Sequence, residues 1–539
     1  MRPDTRHNTP LERDSRGSPG RRLPKRPALV LVLVLIVVMM IALAGFSFAE
    51  LMLTENKAAH LHGDALQLQQ ALASGVEQLK VFLEQPRALQ DTAGGSYDNP
   101  KLFRARSLRG NDRGGRATST APSREPRFSV VVPVAGRQEE VAVRYGVENE
   151  SGRLHLADLL RIDAQQPGAG GYALMQLPGM TTPVADAILD WIDPDSQPRA
   201  QGAESEYYAG LDRPYAVRNG LPESLEELLL VKGVTHELLF GADRNYNRFL
   251  EREERERSSH AARALRPAGG DEPIPWSWLL TVYSGQRNTN SKGTPRIDLN
   301  GPNLAELQGQ LSAVAGPELA TFVVAYRQYG PHAGGGSPAS GAPPVDASAP
   351  PQFRINTLLD LVGAMVAVPT EGSDQPKVYN SPLSPQPAAL REQFKVLEDA
   401  TTTVPHPVIR GLVSVNHAPA CVLRSVPGID EALAEQIVSA RQSTSDDGLR
   451  RSPTWLWFEG MVDLHRMKQL MPFVSAGGDV VRAQVVAHVD GSPTAARAEV
   501  VVDATRKPAH VAQWRDLRFH GAGFPLEMFA AGASHTARN

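Results

Sequence analysis

Cysteine is almost absent. Cys421 stands alone among 539 residues, so no intrachain disulfide can form. A domain exported with so few thiols is held by packing or by metal ions. A basic excess is also missing. Lys and Arg number 56 against 59 Asp and Glu, a net charge of −3, which excludes the balance of a general nucleic-acid binder. No phosphate-binding glycine loop, zinc-spaced Cys/His cluster or hydrolase elbow occurs. His60 and His62 read as surface residues of a helix, His417 as a partner for a local backbone group, and Cys421 as core packing. Nothing here points to an enzyme. The 46 Gly and 43 Pro point to globular units joined by substantial loops.

Long apolar runs are lacking too, with one exception. Ala28 to Phe48 carries no charge, no proline and one glycine, Gly45. At about 1.5 Å per residue such a helix spans a hydrocarbon core of roughly 30 Å. A signal peptide would have a shorter apolar core and a small-residue cleavage site, so the run reads as a retained membrane helix. Arg21, Arg22, Lys25 and Arg26 precede it. The positive-inside tendency puts the N-terminus in the cytoplasm and the bulk of the chain across the membrane. From Glu50 to Gln85 apolar residues continue at helical spacing (Leu61, Leu68, Leu72, Val76, Leu79, Phe82), and Pro86 ends the pattern.

Composition shifts divide the chain as follows. Residues 1–27 form a polar cytoplasmic leader, and 28–86 the transmembrane and amphipathic helix. Residues 87–126 form a basic loop. Residues 127–150 hold strands at Phe128–Val134 and Glu140–Val147, with Gly136-Arg137 turning between them. A helical pattern runs from Gly152 to about residue 470. It is read as one module over 151–270 and a second over 271–475 interrupted by Pro/Gly-rich loops. Residues 252–275, 331–351 and 370–405 read as extra loops. Residues 476–539 return to strands: Val480–Val489, Ala498–Ala504 and Gln513–Phe519, with Asp490-Gly491 near a turn. Neither set of strands is long enough to bury a core alone. The expected fold class is α+β: a long N-terminal helix, a small antiparallel sheet with strands from both ends, and a large inserted helical block.

Two stretches of that block resemble each other. Leu177-Pro178-Gly179-Met180 precedes Pro183 to Ile188, and Val426-Pro427-Gly428-Ile429 precedes Ala432 to Ile437. Both follow the helix-hairpin-helix (SAM-like) form, in which Gly179 and Gly428 supply the backbone freedom of a tight turn. Weaker relatives are Leu228 to Val234, around Gly233, and Leu311 to Gly316. Such hairpins commonly hold DNA backbone. Here Asp186 and Asp190 follow the first glycine, and Asp430, Glu431 and Glu435 the second, where phosphates would meet like charge. No nucleic-acid partner is expected. A membrane-tethered DNA-binding protein remains the alternative reading.

Together these features resemble the K subunit of the type II secretion system, a minor pseudopilin. The specific stretches are Asp190-Trp191-Ile192-Asp193, Gly202-Ala203-Glu204 and Tyr207-Tyr208, then Ser224 to Leu228 with Val231 to Val234. Val413 to Pro419 resembles the family's lead into the second hairpin. The resemblance implies a non-enzymatic subunit of the inner membrane that caps a pseudopilus tip. It implies other minor pseudopilins as partners, met through the N-terminal helix and the tip. The pattern departs from the family in one place. Arg26-Pro27 stands where prepilin peptidase would need a glycine. Positions 30–36 lack the early glutamate of most pilin-like subunits, which in this family goes with a tip position.

The resemblance also implies calcium. Asp193, Asp195 and Glu204 are hard oxygen ligands in a Pro- and Gly-containing loop. A second candidate rests on spacing alone. Asp243, Asn245, Asn247, Glu251 and Glu254 fall at positions 1, 3, 5, 9 and 12 of an EF-hand loop, with Arg248 where glycine is usual.

Overall fold

The computed structural model describes residues 27–108, 125–134, 142–257, 265, 274–334, 339–370, 373–441, 449–489, 494–521 and 523–529. The chain divides into two compact units, 1–66 and 67–539. The expected turns at 136–137 and 490–491 lie outside the described residues.

The described part of the first unit is helical throughout. It belongs to one continuous helix, Pro27–Leu83, which passes Gly45 without a break. From Leu29 on, this helix is long and apolar enough to cross a membrane, and its most apolar window is wholly exposed.

In the second unit the same helix turns amphipathic. Leu68, Leu72, Val76, Leu79 and Phe82 form one face, spaced three or four residues apart, and all are buried. They pack on a sheet ordered Arg106–Ser107, Pro126–Val134, Val480–Val489, Ala495–Asp503, His510–Asp516. Each such side chain contributes roughly 1.5–3 kcal/mol of burial. Gly75 sits at a tight contact of helix and sheet: a Cβ there would lie 2.7 Å from Val485 Cγ1 and 2.8 Å from Phe128 Cδ2. The central strand Val480–Val489 is buried along its whole length. It pairs antiparallel with Pro126–Val134 (Val485 opposite Val130) and with Ala495–Asp503 (Val485 opposite Ala498). The sheet thus takes strands from both sides of the inserted block.

Four expectations need correction. The strand placed at Glu140–Val147 is confined to Ala142–Arg144 within the described residues. Tyr145 and Val147 donate their amides to Asp98 Oδ1 and the Ser96 carbonyl instead, and a Cβ at Gly146 would strike the Ser96 carbonyl oxygen at 2.3 Å. The loop at 87–126 holds two short helices, Arg87–Thr92 and Pro100–Phe103. Phe103 is buried edge-on against Phe82, 5.5 Å between ring centres. The segment 370–405 is not a loop. Ser373–Asn380 pairs antiparallel with Met365–Thr370, and Pro387–Ala400 is a helix burying Leu390, Phe394 and Leu397. The last strand runs His510–Asp516, after which Arg518–His520 turns away and leaves Phe519 91% exposed.

The inserted block has its own core, in which Trp191, Trp276, Trp455 and Phe322 are fully buried. Cys421 belongs to it, free and buried. The helix pairs Ala169–Met175 with Thr182–Ile192, and Ala420–Arg424 with Glu431–Ala440, turn at Gly179 (φ 70°) and Gly428 (φ 89°), backbone that side-chain-bearing residues rarely adopt.

Candidate calcium loops

Helix Thr182–Ile192 ends on an extended Asp193, so the chain leaves it as the loop that returns at Glu204. Asp190, on the helix's last turn, is fully buried. It accepts from the Arg199 and Ala203 amides and from Arg199 Nη1, at 3.2, 2.8 and 2.8 Å. These bonds fold the loop over the helix end. Gly202 is required there, since a Cβ would fall 1.8 Å from Asp190 Oδ2.

The fold brings Asp193, Asp195 and Glu204 together, with ligand oxygens all within 4.8 Å of one another. A cation about 2.4 Å from each oxygen needs that separation. Arg199 Nη1 pairs with Asp193 Oδ2. Asp193 Oδ1 and both Glu204 carboxylate oxygens are buried without a hydrogen-bond partner. Burial pushes the Asp193 carboxyl up against the pull of Arg199, with Asp195 and Asp190 adding to the rise. Burial raises Glu204 as well, and the charges of Asp190 and Asp193 raise it further. Orphaned, mutually repelling carboxylate oxygens of this kind fit a hard cation.

The second loop has the turn its spacing demands. Asp243 Oδ2 accepts the Arg248 amide at 2.8 Å, and Asn245 Oδ1 and Asn247 Oδ1 accept amides two residues on, at 3.1 and 2.8 Å. Arg248 takes the left-handed conformation (φ 59°) that glycine usually supplies. The strain of order 1–3 kcal/mol is held by its side chain, which pairs with Glu148 and stacks 5.0 Å over Trp278. Glu251 accepts from Asn245 and Asn247 at 2.8 and 3.0 Å, and Glu254 Oε1 accepts the Arg244 amide at 2.8 Å. Burial, then the neighbouring Glu251 carboxyl, push Glu254 up to about 7. Glu251 is held down against burial by bonds from Glu254, Asn245 and Asn247. Among the described residues, Asp243, Glu251 and Glu254 do not gather their oxygens as closely as the carboxylates of the first loop do.

Sequence reasoning missed the charge network that anchors this loop to the sheet. Arg482 Nε donates to Glu150 at 2.6 Å and Nη1 to Glu499 at 2.8 Å. Arg515 bridges Glu499 and Glu226. Gln484 Nε2 donates to the Tyr246 carbonyl at 2.6 Å, and Arg497 to the Asn245 carbonyl. The signal was there: Arg482 and Gln484, like Arg497 and Glu499, sit two apart inside β-branched runs and so share a strand face. Elsewhere, His417 Nδ1 pairs with the Ser414 hydroxyl, 2.9 Å away, rather than with a backbone group.

Residues 154–240 match the family model described as Type II secretion system (T2SS), protein K, first domain. A protein named Type II secretion system protein K from Pectobacterium carotovorum subsp. carotovorum is 33% identical over 101 residues, which cover 18% of this chain and 28% of that relative. Among solved structures, a chain of the GspK-GspI-GspJ complex of the enterotoxigenic Escherichia coli type 2 secretion system matches over 84% of this chain and 97% of its own, at 9% identity. Its TM-score of 0.35 is too low to define the fold. The family match covers the helix end, the loop with Asp193, Asp195 and Glu204, and the turn at Gly233.

Proposed function

We propose that this chain, whose residues 154–240 carry the first domain of the type II secretion system protein K family, is a non-enzymatic minor pseudopilin taking part in protein export. The family match carries the reading. The apolar helix beginning at Leu29 supports single-pass anchorage in the inner membrane. The basic residues before it favour a cytoplasmic N-terminus and a periplasmic second unit. The absent early glutamate favours a place at the pseudopilus tip, with other minor pseudopilins as partners through the N-terminal helix. We read the turns at Gly179 and Gly428 as helix-hairpin-helix modules that serve packing. Asp430 after Gly428 caps the next helix and pairs with Arg466 at 2.6 Å, leaving an acidic group where a phosphate would approach. No observation favours the DNA-binding alternative.

Calcium is part of the proposal. Asp193, Asp195 and Glu204 would hold one ion, and the Asp243–Glu254 loop a second. The ions would tie the loops of a disulfide-free domain.

Co-expression of the full chain with a complete set of pseudopilin-like subunits tests the assignment. Co-purification of those subunits in detergent is the expected result. A chain that stays monomeric in their presence overturns it.

A further inference from the structure

A cleft of about 1450 Å³ opens in the second unit. Its walls include Arg87 just after the long helix, the paired strands Gln286–Arg287 and Val408–Ile409, part of the helix Pro387–Ala400, and the turn at 451–454. Ten Lys or Arg line it against three Asp or Glu. Arg161, Lys395 and Arg451 are paired with Asp158, Glu392 and Asp91 outside the lining, so part of this surplus is already neutralised.

The three acids are already committed. Asp479 accepts from Arg287 at 2.9 Å and lies 3.7 Å from Arg87. Asp399 accepts from the Ser291 amide and hydroxyl at 2.8 and 2.7 Å. Glu398 accepts from the Ser452 and Thr454 hydroxyls at 2.6 and 2.8 Å. Lys292, Arg354, Arg410 and Lys507 are exposed and make no side-chain ion pair among the described residues. Their charge is felt inside the fold. Burial holds His155 down at about 4, and the field of Arg410 helps. Burial also lowers Arg327, and Arg354 adds to it. Apolar side chains also line it, among them the exposed Val314 and Val396 and the half-buried Leu412.

We propose that this cleft docks an extended acidic polypeptide segment, with its carboxylates on Lys292, Arg354, Arg410 and Lys507 and its apolar side chains against the apolar part of the lining. Carboxylates meet guanidinium groups in paired, directional hydrogen bonds. A lining that mixes apolar side chains with cations suits a peptide, whereas a phosphodiester chain offers only charge along its backbone. The inference stands apart from the pseudopilin assignment and from calcium.

The test uses the full chain in detergent and a short fluorescein-labelled peptide of alternating Glu and Val, read by fluorescence anisotropy. Wild type binds it at low salt. The double variant Arg354→Glu/Arg410→Glu weakens binding by about tenfold or more, while Arg213→Glu, an exposed charge outside the cleft, leaves it unchanged. Three outcomes overturn the proposal: no binding by wild type, equal affinity of wild type and the double variant, or displacement of the peptide by inorganic phosphate or a single-stranded oligonucleotide at equal charge concentration.

Discussion

Arg248 donates both terminal nitrogens to the Glu148 carboxylate, at 3.0 and 2.6 Å, and so joins the acidic loop to the edge of the sheet. Burial alone would raise the Glu148 pKa. Arg248 and Arg153 outweigh it and hold the carboxyl well below the ordinary range. Arg248→Ala keeps a Cβ at a positive φ, so it relieves none of that strain, and it leaves Glu148 to Arg153; the expected loss is about 3 kcal/mol, near the lower end for a broken buried pair. Urea unfolding of detergent-solubilised chain measures it. The sign with pH follows from the depressed pKa. The pair's contribution is complete above the unfolded value near 4.5 and is lost as pH falls through the lower folded value. Wild type and Arg248→Ala should therefore converge in strong acid.

Glu398 behaves in the opposite sense. Burial pushes it up to about 7 against the hydroxyls of Ser452 and Thr454. A carboxyl raised on folding costs nothing below its unfolded pKa and destabilises progressively between about 4.5 and 7. Glu398→Gln should melt with wild type near pH 4 and higher than wild type at pH 8. Equal melting at pH 8 would sink this reading of the group.

Calcium and the Glu204 carboxyl make a paired prediction. Metal-free, Glu204→Gln removes a repelled, buried charge and should raise the melting temperature at pH 7, because the wild-type pKa is raised. With calcium the order reverses. Free ion at a hundredfold its Kd stabilises wild type by about 2.7 kcal/mol, and the variant loses most of that. Gly202→Ala, which drives a Cβ into the Asp190 carboxylate, should blunt the calcium response without removing any ligand. Differential scanning calorimetry with and without a chelator reads all three.

The Asp243–Glu254 loop carries its own signature. If an ion displaces the proton between Glu251 and Glu254, calorimetric titration in buffers of different ionisation heat will show proton release at pH 6 that shrinks by pH 8. Proton release independent of pH would separate the ion from this carboxyl pair.

Gly75 tests the packing of helix on sheet. Gly75→Leu should cost on the order of 1–3 kcal/mol by overpacking against Val485 and Phe128. The same change at Gly63, where nothing lies within 4 Å of a Cβ, should be neutral or stabilising through helix propensity.

Much of this was legible from pattern. The period of Leu68, Leu72, Val76 and Leu79 named the buried helix face, and the β-branched run at Val480–Val489 named the central strand. The family resemblance pointed to Asp193, Asp195 and Glu204, a group that the fold does bring together. Leu390, Phe394 and Leu397 also carry a helical period. Their helix was hidden because the prolines at 382, 385 and 387 read as loop, although Pro387 opens it. What pattern could not supply was partnership. Arg199 and Asp190 organise the first loop through contacts set by the fold. The Glu148–Arg248 pair spans a hundred residues. Val143 to Val147 alternates like a strand, yet the backbone of Tyr145 and Val147 is claimed by Asp98 and Ser96, a tertiary competitor that local periodicity does not register.

The central strand has a consequence for synthesis. Its partner at Pro126–Val134 is made early, while Val480–Val489 and Ala495–Asp503 come only after the whole inserted block. Until then the apolar face from Leu68 to Leu83 has no complete sheet to cover it. The block can bury its own tryptophans while the chain is still emerging, but closing the sheet demands contacts between distant parts of the sequence and is the slow, high-contact-order step. A nascent chain therefore carries an open hydrophobic face for most of its elongation.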